Sequence, residues 1–92
     1  MNVQQTQTYA GVERLTHDGS AKAATLPANA EHLIARLTSE GADTRYAINA
    51  TATATSTFLP ENESVELGPL SNLDSISTFG AAGFTCIVYT TL

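Results

Sequence analysis

From Thr51 to Thr57 the chain reads Thr-Ala-Thr-Ala-Thr-Ser-Thr, a threonine at every second position. A period of two is the spacing of side chains on one face of a β-strand. Threonine is β-branched and restricted at χ1, which suits a pleated surface, and its hydroxyl lets that surface face water or another protein. The run predicts a strand whose Thr51, Thr53, Thr55 and Thr57 form a face for contact rather than for catalysis. Nothing in the sequence is a self-sufficient catalytic signature.

The 92 residues make one domain, and a chain of this length buries only roughly 60–65% of the surface its unfolded form exposes. Hydrophobic residues at 42% and charged residues at 14% fit a folded domain with much surface that is neither apolar nor charged. Such a surface loses little on desolvation, which favours permanent contact with other subunits. Four basic against nine acidic residues give a net charge of -5, with Arg14, Lys22, Arg36 and Arg45 scattered along the chain. Phosphate recognition needs clustered cations, so nucleic acid is not an expected partner. A basic protein shell suits the charge better. No stretch approaches the roughly 20 apolar residues that span a bilayer, and Met1-Asn2-Val3-Gln4-Gln5 lacks a charged region leading into an apolar core. No membrane partner is expected, and synthesis is expected in the cytoplasm.

Asn2 to Ala10 is polar and uncharged, which predicts an extended N-terminal arm or edge strand over residues 1–10, ahead of a single β domain over 11–92. Val12 to Thr16 predicts a strand closed by His17-Asp18-Gly19-Ser20, and Ala21 to Leu26 the next, ended by Pro27-Ala28-Asn29. Between residues 30 and 38, Ala30, Leu33, Ile34 and Leu37 recur at helical spacing, with Asn29 as a cap and Gly41 beyond. The same stretch also reads as a strand, with Leu33, Ala35 and Leu37 on one face, pairing across Gly41 with a strand over Thr44 to Asn49. The hairpin is the preferred reading. Pro60-Glu61-Asn62-Glu63 predicts a turn, Ser64 to Leu67 a strand broken by Gly68-Pro69, with Leu70 and Leu73 packing from a loop. Ser75 to Phe79 and Phe84 to Leu92 complete the series across the turn Gly80-Ala81-Ala82-Gly83. In the last strand Phe84, Cys86, Val88 and Leu92 share one face and Ile87 and Tyr89 the other, which predicts cover on both sides. The pattern is all-β, a compact antiparallel β-sandwich or jelly roll of about seven or eight short strands.

Chemistry-bearing residues are few. Cys86 stands alone, so it forms no intrachain disulfide and reads as a small buried hydrophobe. His17 beside Asp18 could move a proton, yet its turn supplies no nucleophile and it reads as an exposed histidine. His32 is the only other histidine. Glu61, Glu63 and Glu66 do not match the spacing of a calcium loop, so no metal or other cofactor is expected. Asn49-Ala50-Thr51 and Asn62-Glu63-Ser64 match the glycosylation acceptor but read as chance matches. Arg45 suits a bidentate carboxylate pair, or a subunit contact, while Tyr46 points to the core.

The order Leu15-Thr16, Ala30 with Leu33-Ile34, Thr44-Arg45-Tyr46-Ala47, the threonine run with Leu59-Pro60, Val65-Glu66-Leu67, Leu73, Ile76 and Cys86-Ile87-Val88-Tyr89 resembles small structural proteins of tailed bacteriophages. Many of those carry a strand ending in Arg-Tyr, then a turn with Asp-Gly and a Pro-Thr step; here Asn49-Ala50 and Thr51-Ala52-Thr53 stand in those places. The resemblance covers about residues 15 to 90. It implies a non-enzymatic virion protein with a compact β-sandwich, made in the bacterial host cytoplasm and placed on the capsid surface as a cement or decoration protein. The partners would be the major capsid protein and copies of itself, as a homotrimer or homodimer on matching symmetry axes. Gln4, Gln5, Thr6, Gln7, Tyr9, Arg45 and the four threonines are the expected subunit or capsid contacts. The alternative role is a tail, neck or head-fibre component that binds another virion protein or a host glycan.

Overall fold

The computed structural model describes residues 8–27, 32–70 and 75–91, and among them every regular element is a β-strand. The strands are β1 (Thr8–Thr16), β2 (Lys22–Ala23), β3 (Leu33–Glu40), β4 (Thr44–Ile48), β5 (Thr57–Leu59), β6 (Ser64–Leu70), β7 (Ile76–Phe79) and β8 (Phe84–Thr91). They form two antiparallel sheets of four, in the orders β1-β8-β3-β6 and β2-β7-β4-β5. The chain passes from one sheet to the other at nearly every connection, which is the strand order of a jelly roll. No described segment is a helix that could cross a membrane.

The preferred strand reading of residues 30–38 holds from Leu33 onward, but the hairpin does not form. Strand β3 is already paired on both sides, with β6 and with β8, so no edge is left for β4. Strand β4 lies in the other sheet, between β5 and β7. The link between them arches from layer to layer, with Gly41 at φ +79° and the Ser39 hydroxyl donating to the Ala42 carbonyl. Alternation locates two strands and a short connection, yet says nothing about whether the connection stays in one sheet.

The core follows from period two. On β3 Leu33, Ala35, Leu37 and Ser39 point inward; their register partners Tyr89, Ile87 and Thr85 on β8 and Leu70, Leu67 and Val65 on β6 do the same. Leu59 and Ile76 meet them from the opposite sheet. Burying each such aliphatic side chain contributes about 1.5–3 kcal/mol. In β8 one face alone is fully buried: Thr85, Ile87 and Tyr89 face inward, while Cys86 and Val88 lie half-buried and Phe84 is exposed on the outer side. The expected double cover, and a buried Cys86, are corrected accordingly.

Three other expectations change. The strand over Ala21 to Leu26 shrinks to Lys22–Ala23, because it pairs only briefly with β7. Gly68-Pro69 does not end β6: the chain bulges there and continues to Leu70, which is a buried strand residue. The bulge requires glycine, since Gly68 stands at φ +126° and a Cβ there would lie 2.6 Å from the Leu33 carbonyl oxygen. Residues 8–10 belong to edge strand β1, the second of the two readings offered for that segment, and the rest of the expected arm, like Leu73 and Leu92, lies outside the described residues. Finally, the threonine run is not a strand, since only Thr57 enters β5.

Candidate contact surfaces

The threonine run folds as a loop because its own hydroxyls satisfy its backbone. Thr53 and Thr55 bond to each other at 3.1 Å, the Thr55 amide donates to the Thr53 hydroxyl at 3.3 Å, and the Thr53 amide donates to the Ser56 hydroxyl at 2.9 Å. Such local bonds compete with a strand ladder. The alternating alanines carry the packing: Ala52 is buried and its amide donates to the Ser77 hydroxyl at 2.9 Å, pinning the loop across the outer face of the β2-β7-β4-β5 sheet. Thr51, Thr53, Thr55 and Thr57 are all exposed, so the expected contact residues are accessible, although they project from a loop and not from a pleated face.

Arg45 lies on the same outer face. Among the described residues it holds no carboxylate; its guanidinium donates to the Ser56 carbonyl at 2.9 Å and stacks 4.9 Å from the centre of the Phe58 ring. The interaction ties β4 to the loop and keeps Phe58, 48% exposed, at the rim of a hollow of about 320 Å³ lined by Ala54 and Phe79. Tyr46 packs against the core as expected.

The outer face of the other sheet has no covering loop among the described residues. Tyr9 and Val12 are 65% and 59% exposed, and Phe84 is 38% exposed with the Arg14 guanidinium 5.2 Å above its ring. Register places Val12 beside Val88, and Val88 beside Arg36; Arg14 lies beside Cys86. Arg14 also bridges Glu40 at 3.2 Å, an exposed pair worth little by itself. Together these side chains form an apolar stripe edged by compensated charge, and period two in β1 and β8 was the sequence signal for it. Sequence reasoning placed Val88 and Cys86 in the core and so missed the stripe, apart from Tyr9. Gln4, Gln5, Thr6 and Gln7 lie outside the described residues.

His17 is not the exposed turn residue expected. It is 5% exposed, and its Nε2 lies 2.7 Å from the hydroxyl of Thr85, which in turn donates to Thr44 at 3.4 Å. Burial, reinforced by the charge of Lys22 and opposed by that of Asp18, pulls the imidazole below its ordinary pKa. Asp18 receives the Ser20 hydroxyl, Lys22 and the Ser20 amide, which hold its carboxyl down at about 2. Across the domain Tyr89 donates to Glu13 at 2.9 Å, and burial together with that carboxylate raises the phenol well above its ordinary range. Glu13 also accepts the Thr25 amide at 3.0 Å, linking β1 to the segment after β2. Both polar systems join chain segments inside the fold; Tyr89, Glu13 and Thr25 also line an open hollow of about 390 Å³ with Ala10 and Leu26. Among the described residues no group of three His, Cys, Asp or Glu could hold a metal ion. No family model, curated protein or solved structure matches this chain.

Proposed function

We propose that this domain is a structural contact module of a tailed-bacteriophage virion, a cement or decoration protein that binds the outer surface of the head and stabilises the shell at capsomer seams. The observation that carries the reading is the stripe of exposed Tyr9, Val12 and Phe84, joined by half-buried Val88, on the β1-β8-β3-β6 sheet. A jelly roll of this size leaves few ways to hide such a stripe except against another protein, and viral shell components are among the proteins built on this strand order. Its partners are the major capsid protein and further copies of itself, arranged as a trimer or dimer. Cement works by binding free energy: separating capsomers then also requires breaking the contacts that straddle them. Interfaces of roughly 1,200–2,000 Å² suffice when many copies act together. The role requires neither cofactor nor catalysis.

The test is sedimentation of the purified protein with purified heads of the phage that encodes it. Saturable recovery in the head fraction, with heads that then withstand higher temperature, is the expected result. Protein that stays at the top of the gradient at every concentration contradicts it. A second reading rests on the hollow beside Phe58, Phe79 and Arg45, whose ring faces and cation suit a partner loop or a glycan on a tail or head-fibre component. Binding to tails but not heads would favour that reading.

A further inference from the structure

The polar chain through His17 has a consequence for how one end of the sandwich stays closed. Two backbone bonds join the β1–β2 turn to the β7–β8 turn, from the His17 amide to the Gly83 carbonyl at 3.0 Å and from the Gly19 amide to the Gly80 carbonyl at 2.8 Å. The imidazole fills the space between these turns: a Cβ added to Gly80 would come within 3.2 Å of the ring. A proton on Nδ1 would find no acceptor, so the neutral ring is best satisfied by donating from Nε2 to Thr85, which leaves a lone pair on Nδ1. That Nδ1 is buried and has no hydrogen-bond partner among the described residues.

We propose that His17 is a pH-dependent latch, which holds the β1–β2 and β7–β8 turns together while its ring is neutral and releases them when Nδ1 takes up a proton. An unpartnered nitrogen lone pair in the core is tolerable, but a buried N–H that belongs to a cation and meets no acceptor is not. The charges around the ring do not rescue it. Lys22 of β2 opposes the imidazolium and Asp18 favours it, but these two are already joined to each other at 3.1 Å. Strand β8 contributes Thr85, β4 contributes Thr44 and the β7–β8 turn contributes Gly80, all uncharged. Asp43, whose carbonyl borders Gly80, directs its carboxylate to the Glu61 amide at 2.8 Å, and Glu40 of β3 is engaged with Arg14. Since burial depresses the folded-state pKa, the closed state is fully favoured above the unfolded value of 6.5 and loses ground as pH falls below it. The loss approaches about tenfold in the closed-to-open ratio for each unit of depression.

The experiment is amide hydrogen exchange by NMR at His17 and Gly19, with the ring signal of His17 followed in the same samples, at about pH 7.5 and about pH 5. The expected result is loss of protection at both amides, relative to the intrinsic exchange rate, in step with a ring titration centred below 6.5. His17→Gln, neutral throughout this range and able to donate to Thr85, is expected to abolish that pH dependence. Equal pH dependence in wild type and His17→Gln overturns the latch. Should His17→Gln fail to fold, the wild type decides alone: a ring that titrates while both amides stay protected overturns it equally.

Discussion

His17 and Thr85 stand 68 positions apart and share a buried hydrogen bond of 2.7 Å between the ring Nε2 and the hydroxyl. The bond joins the end of β1 to the start of β8, so the first and last described strands are tied by a side-chain contact as well as by their ladder. Thr85→Val keeps the shape of the side chain and strands the Nε2 proton in the core. It is expected to destabilise the domain by about 1–3 kcal/mol in urea unfolding at neutral pH.

The sequence made the strands legible and the three-dimensional partners less so. Alternation in β1, β3 and β8 located each strand to within a few residues, because in each one face is more buried than the other. It could not show that Gly41 leads into an arch and not a hairpin, since both geometries use the same glycine and the same flanking pattern. The threonine run misled for a related reason: Thr-Ala alternation has the period of a strand, yet hydroxyl-to-backbone bonds at Thr53 and Thr55 favour a loop. His17 was unreadable because its cover comes from Gly80, Thr85 and Thr44, residues distant in the chain. Of the candidate contact face, only Tyr9 is an expected contact from the sequence.

The inward and outward faces of β8 make opposite predictions. Ile87 is fully buried between the sheets, and Ile87→Ala is expected to cost about 2–5 kcal/mol through lost contacts and the cavity left behind. Val88 points outward and lies beside Arg36, so Val88→Asp gains an opposite-charge neighbour and is expected to fold cooperatively with a cost of only about 1 kcal/mol. Thermal unfolding of the two variants side by side checks the face assignment.

Gly83 lies at φ +75°, where a Cβ would fall 2.5 Å from the Glu40 carbonyl oxygen. Gly83→Ala therefore combines backbone strain with a clash against main chain, and is expected to lose at least about 1–3 kcal/mol in urea unfolding. An unchanged midpoint would show that the β7–β8 turn has another conformation.

Acid stability has a second contributor besides His17. The carboxyl of Asp18 is lowered from 3.8 to about 2 by the Ser20 hydroxyl, Lys22 and the Ser20 amide, so its contribution is present above 3.8 and is lost as pH falls toward 2. Asp18→Asn is expected to flatten the stability profile in that acid window while leaving the one near neutrality, which belongs to His17, in place. Denaturant midpoints measured across both windows separate the two groups.

The most direct test of the central claim is head binding by the double variant Tyr9→Ser, Val12→Asp, which removes the exposed apolar stripe from edge strand β1 and leaves the core untouched. Burying those two side chains in an interface contributes about 1.5–3 kcal/mol each, so the account predicts wild-type thermal unfolding together with a loss of head binding of at least about 100-fold. A variant that folds normally and sediments with heads as the wild type does would contradict the claim that the outer face of the β1-β8-β3-β6 sheet is the contact surface.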